Sequence, residues 1–176
     1  ALDRGEVSFG VFQFIAPFVQ VGVTDRISMG GGTPLLFGID DWNRPFWITP
    51  KVQVVRADRA QAAVGLLHVF DADGDHGGIA YGVGTIGDND NAFTGGAGLA
   101  YADDERGWVV MGGAEGRLTS NMKVMTENYV WKGGDGILSA GVRFLGERLS
   151  ADLALAVPVG VGDFIAFPVV NFVYVF

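Results

Sequence analysis

The sequence predicts an all-β chain that closes into an antiparallel, up-and-down transmembrane barrel of about 10–12 strands. Three observations carry that prediction. Of the 176 residues, 49% are hydrophobic and only 18% charged, with mean hydropathy +0.30 and 28 glycines. Uncharged tracts recur at strand length, each closed by a small polar cluster, and nothing of helical period lasts beyond about two turns. Inside the tracts one face is large and apolar, while the other is small or polar but carries too few charges to solubilise a sheet.

The first tract, "VSFGVFQFIAPFVQVGVT" (residues 7–24), approaches the ~20 residues of a spanning helix. Gly10, Gln13, Pro17, Gln20 and Gly22, in a context rich in Val and Phe, make it a strand region instead. There follow "ISMGGGTPLLFGI", "VGLLHVF", "GGIAYGVGTIG", "AFTGGAGLAYA", "GWVVMGGA", "GILSAGV", "LALAVPVGVG" and "FIAFPVVNFVYVF". The clusters between them, among them "TDR", "RADR", "GDNDN", "LTSN" and "GER", are turn chemistry. The whole chain, residues 1–176, reads as one domain.

Alternation within the tracts separates two faces. In the last strand Phe164, Val170, Phe172, Tyr174 and Phe176 share one face, and Asn171 lies on the other. Phe93, Ala97, Leu99 and Tyr101 oppose Thr94, Gly96, Gly98 and Ala100, and Leu149, Leu153, Leu155 and Val157 oppose Ser150, Asp152, Ala154 and Ala156. The charges on the small face look paired along the chain, Glu115 with Arg117 and Lys123 with Glu127, with Arg143 and Asp152 nearby. Together with Lys51, Gln53 and Asn171, these residues are expected to form an interior polar network. An apolar exterior facing lipid around a small, polar, charge-balanced interior accounts for both faces.

The alternation that ends on Phe172, Tyr174 and Phe176 resembles the C-terminal assembly signal of Gram-negative outer-membrane β-barrel proteins. More narrowly, "VGVTDRISMGGGTPLL", "FWITPKVQV", "YGVGTIGDNDNAFTGGAGLAYA", "VMTENYVW" and "GVRFLGERLSADLALAVPV" resemble a little-characterised group of bacterial outer-membrane barrels, over most of the chain. The resemblance implies the fold, a place in the outer membrane, contact with its lipid and handling by the barrel assembly machinery. It brings no established activity, cofactor or catalytic residue.

Tight connections ("TDR", "ADR", "GDND", "TSN", "GER") alternate with longer ones ("GIDDWNRPF", "DADGDHGG", "ADDERG", "KGGDG", "GVGD"). Tight turns usually face the periplasm, which puts the C-terminus there too. Counting residues 7–23 as one strand gives about eleven, whereas single-chain bacterial barrels have even numbers. The apolar phase of that segment also flips, from Val7/Phe9/Val11 to Phe12/Phe14/Phe18 and then Val19/Val21/Val23. Either bulges near Phe12 and Pro17 or a strand preceding residue 1 is expected.

Eight strands are filled by side chains and sixteen leave an aqueous channel. A barrel between them fits a narrow passive channel whose interior charges set ion preference. The alternative is a salt-bridge network that holds the barrel shut, leaving a structural or accessory barrel whose outer loops contact partners in the envelope. No enzyme and no cofactor are expected, since neither His68 nor His76 has a serine near it in sequence. Asp71, Asp73 and Asp75 open like a calcium loop, but the glycine and the bidentate Glu fall out of place, so no metal is expected. Trp42, Phe46, Trp47, Tyr101, Trp108, Tyr129 and Trp131 cluster at one end of the strands, as an interfacial girdle would. A formal charge of −8 excludes a nucleic-acid partner, and the absence of cysteine excludes disulfides and thiolate sites.

Overall fold

A computed structural model describes residues 2–13, 15–35, 45–71, 76–103, 105–160 and 165–176. Alternating apolar residues rich in Val, Phe and Leu form the strands β1 (Val7–Phe12), β2 (Ala16–Gly22), β3 (Ile27–Gly32), β4 (Phe46–Ile48), β5 (Lys51–Ala57), β6 (Ala60–Phe70), β7 (His76–Gly87), β8 (Asn91–Ala102), β9 (Glu105–Thr119), β10 (Met122–Trp131), β11 (Gly136–Leu145), β12 (Leu149–Val159) and β13 (Phe167–Val175). Sequence neighbours pair antiparallel, and β1 closes the sheet against β13. Both β3 and β6 pair with β4 and with β5, so these two segments are one wall strand, interrupted where Pro50 has no N–H to give the ladder. The result is a closed, all-β, twelve-strand antiparallel barrel. Closure satisfies the edge that the apolar C-terminal strand would otherwise expose.

The odd count from the sequence has a simple origin. Residues 7–23 are two strands, not one, and the phase flip is a hairpin. Gln13 adopts a left-handed φ of 54°, and Ile15 N–H donates to the Phe12 carbonyl at 3.1 Å. A hairpin this tight leaves almost no polar residue between two apolar strands, so hydropathy alone runs them together. The bulges lie elsewhere, between Gln53 and Val55 and between Met122 and Lys123.

Burial is inverted relative to a soluble protein. Among the described residues the most buried are small or polar, namely Ser8, Ser28, Gln53, Lys123, Asp152, Ala92 and Ala156. Phe93, Leu99, Leu155 and Phe176 are each more than half exposed on the outer wall. Only a hydrocarbon solvent makes that arrangement stable. The connections at 23–26, 58–59, 88–90, 120–121 and 146–148 lie at the end that holds the C-terminus, and the turn at 132–135 lies at the opposite end.

The barrel lumen as candidate functional site

Register decides which side chains meet inside. Across the wall Glu115 lies opposite Met125, Lys123 opposite Arg143, Arg143 opposite Asp152, and Asp152 opposite Asn171. Lys123 Nζ donates to Glu115 Oε1 at 2.6 Å, and Arg143 Nη1 stands 3.5 Å from Glu115 Oε2. Arg143 grips Asp152 with two parallel bonds, Nε to Oδ1 at 2.6 Å and Nη2 to Oδ2 at 2.9 Å. Lys123 and Asp152 are buried, at 8% and 9% exposure, so each needs its partner. This charge cluster, carried on the adjacent strands β9–β12, occupies the half of the lumen nearer the tight turns.

The pairing along the chain that the sequence suggests does not occur. Glu115 bonds Lys123 and Arg143, while Arg117 pairs with Asp90 and donates to the Ser120 and Asn89 carbonyls at 3.1 and 3.0 Å, at the rim. Of the lumenal ion pairs, only Arg143 and Asp152 are directly opposed, about 4.5–5.5 Å apart in an antiparallel pair. Lys123 reaches Glu115 along the diagonal between β10 and β9, and Arg143 reaches it across β10, so long side chains converge over the lumenal face of three strands. Glu127 faces the lumen and accepts a hydrogen bond from the Tyr129 hydroxyl, not from the Lys123 ammonium. Lys51 lies in register with Ser28 and Gly65, away from the cluster. Gln53 is buried and donates from Nε2 to Gln61 Oε1 at 3.3 Å.

Among the described residues, the paired lumenal charges gather in one half of the interior. Towards the long-loop end the inward positions are Leu67, Ile79, Tyr81, Val109, Met111 and Tyr129, which line a cavity of about 240 Å³. On the opposite wall Phe12 and Phe18 stack at 4.3 Å between centroids. Below, and sharing Met111, a second cavity of about 300 Å³ is lined by Thr85, Thr94, Met125, Glu115, Glu127 and Arg143. The strands carry apolar residues on both faces near this end, so alternation by itself gives no sign of which face is inside. The girdle expectation divides accordingly: Phe46, Tyr101 and Trp108 face outward, whereas Trp47, Tyr129 and Trp131 register with inward positions. Trp42 lies outside the described residues.

A third feature lies at the tight-turn end. Residues 2–6 fold against the inward face of β2, with Gly5 N–H donating to the Gly22 carbonyl at 2.8 Å and Gly22 N–H to the Glu6 carbonyl at 2.9 Å. A Cβ at Gly22 would stand 1.9 Å from the Asp3 carbonyl oxygen, so only glycine permits the strap to lie there. Arg56 Nη2 clamps it through Asp3 Oδ1 at 2.5 Å.

The histidines meet on the outer wall, not in the lumen. His68 Nδ1 lies 2.6 Å from the Tyr101 hydroxyl, and its ring is edge-on to Phe70 at 4.2 Å and 5.9 Å from that of His76. Asp71 is exposed after β6, while Asp73 and Asp75 lie outside the described residues. Among the described residues no cluster of three His, Cys, Asp or Glu could hold a metal. At the terminus Tyr174 and Phe176 point outward in T-shaped contact at 4.9 Å, and Phe176 N–H donates to the Val7 carbonyl at 2.9 Å. Phe172 shares their face.

No family model and no curated protein matches the chain. Solved structures do. A KdgM porin in complex with disordered oligogalacturonate aligns at TM-score 0.74 and 7% identity, covering 96% of each chain. A second KdgM porin structure aligns at 0.72, also with 7% identity and 96% of each chain. NanC porin, in a rhombohedral crystal form, aligns at 0.67 with 8% identity over 97% of each. The fold is that of an outer-membrane barrel. At such identities the likeness extends to the path of the chain and not to the residues in the lumen.

Proposed function

We propose that this barrel is a narrow passive channel of the outer membrane, with the tight turns and C-terminus toward the periplasm. Its support is the pair of lumenal cavities that meet at Met111, running from the long-loop half to the charge cluster. A barrel shut by side chains would be packed to interior density at that level. The charge cluster and the strap at residues 2–6 are the narrow points and set how much ion current passes. The outward residues Phe46, Tyr101 and Trp108 favour an interfacial seat near the long-loop end. The oligogalacturonate of the KdgM complex is not carried over, because Lys123 and Arg143 already hold carboxylates of the chain itself. Passive passage needs no catalytic group, and none is assigned.

Planar-bilayer recording of the detergent-refolded protein tests this, with heat-modifiable gel migration confirming a closed barrel in the same sample. Discrete conductance steps that shift in Arg143→Gln support the channel. A folded barrel that stays silent, in the native form and in Arg56→Ala alike, overturns it.

A further inference from the structure

The chamber toward the long-loop end has a chemical character of its own. Its six main walls, Leu67, Ile79, Tyr81, Val109, Met111 and Tyr129, offer hydrocarbon, thioether and aromatic ring surface. The lining presents almost no polar surface. Tyr129 donates its hydroxyl hydrogen to Glu127, and the Tyr81 hydroxyl lies over Gly65 on β6, where a Cβ would stand 2.6 Å away. Neither Lys123 nor Arg143 lines the chamber, and both are held by Glu115 and Asp152. Lys51 is likewise absent from its walls.

A sugar or an ion entering here would lose water and find no partner, whereas an apolar molecule would exchange poorly solvated walls for contact. An apolar cavity of about 150 Å³ already accepts benzene. At about 240 Å³ this one has room for a ring bearing a few further carbons. We propose that the chamber is a binding site for uncharged, ring-sized apolar molecules, and that such compounds are the solutes the lumen admits. The second clause rests on the channel reading; the first needs only that the lumen be reachable. Met111, shared by both cavities, is the side chain such a molecule would displace on its way to the charge cluster, and an unbranched thioether adapts to that readily.

Methionine methyl NMR separates the chamber from the detergent. The protein has four methionines; Met111 is lumenal, whereas Met29 lies on the lipid face at 46% exposure and reports partition into the micelle. Titration of ¹³C-methyl-labelled, refolded barrel with benzyl alcohol is expected to shift Met111 saturably and Met29 only in proportion to concentration. Val109→Thr, which keeps the side-chain shape and adds a hydroxyl, should raise the Met111 midpoint about tenfold. Ile79→Thr serves the same purpose should Val109→Thr fail to show heat-modifiable migration. The proposal falls if Met111 tracks Met29 without saturating, or if galacturonate or glucose saturates Met111 as benzyl alcohol does. Saturation in a barrel without conductance would keep the binding site and end the channel reading. Conductance without saturation would do the reverse.

Discussion

Lys123 shows what a single buried charge costs in this interior. With 8% exposure and Glu115 as its hydrogen-bond partner, it is left a buried charge without its counterion if that carboxylate is removed. Glu115→Ala should therefore destabilise the barrel by about 3–5 kcal/mol, read as a lower urea midpoint of unfolding by tryptophan fluorescence. Arg59→Ala, at an exposed pair with Asp88, should leave the midpoint unchanged within error. Asp88 carries a different effect. Its carboxylate accepts the Asn91 and Asp90 N–H groups at 2.9 and 3.0 Å and an Arg59 bond, which together hold it below the usual carboxylate range. Because the folded state prefers the charged form, the stabilisation is complete above the ordinary carboxylate range and disappears as pH falls through the lowered value. Asp88→Asn should flatten that acid limb of a stability–pH curve and leave the neutral limb parallel. The Lys123–Glu115 partnership was not legible from the sequence, where Glu115 stands nearest Arg117, because strand register brings the two together; the Asp88 bonds to Asp90 and Asn91 are local to one turn.

At the level of single strands, β12 gives a direct test of which face meets lipid. Leu155 is 59% exposed on the outer wall, and its neighbour Ala154 faces inward. Leu155→Arg should cost about 2–4 kcal/mol in lipid, as charges at mid-bilayer do, while Ala154→Ser should be nearly neutral. Urea unfolding in vesicles distinguishes the two. Residues 2–6 offer a second test. Gly22→Val removes the space the strap occupies at Asp3 and should raise conductance without abolishing heat-modifiable migration. Most strand bounds followed from alternation and turn clusters. The β1–β2 hairpin did not, because its turn is built on Gln13 in a left-handed conformation and carries no glycine, proline or charge to mark it.

Seen as a whole, the molecule has two solvents and a lumen that changes character along its axis. The all-β class, the membrane setting and the apolar outward face follow from the sequence itself. Their signal is period two with excess hydrophobicity, a local property that any strand carries within itself. The identities of the interior charges were also local, since a charge within an alternating apolar strand has to face away from lipid. Only the tertiary structure decided the even strand number, the ion-pair partners, the division of the aromatics between lipid and lumen, and the apolar chamber. Each of these depends on closure and on the stagger between neighbouring strands. A sequence fixes which residues alternate along one strand, but the side chains that meet across the lumen are set by how twelve strands shear past one another when the sheet closes.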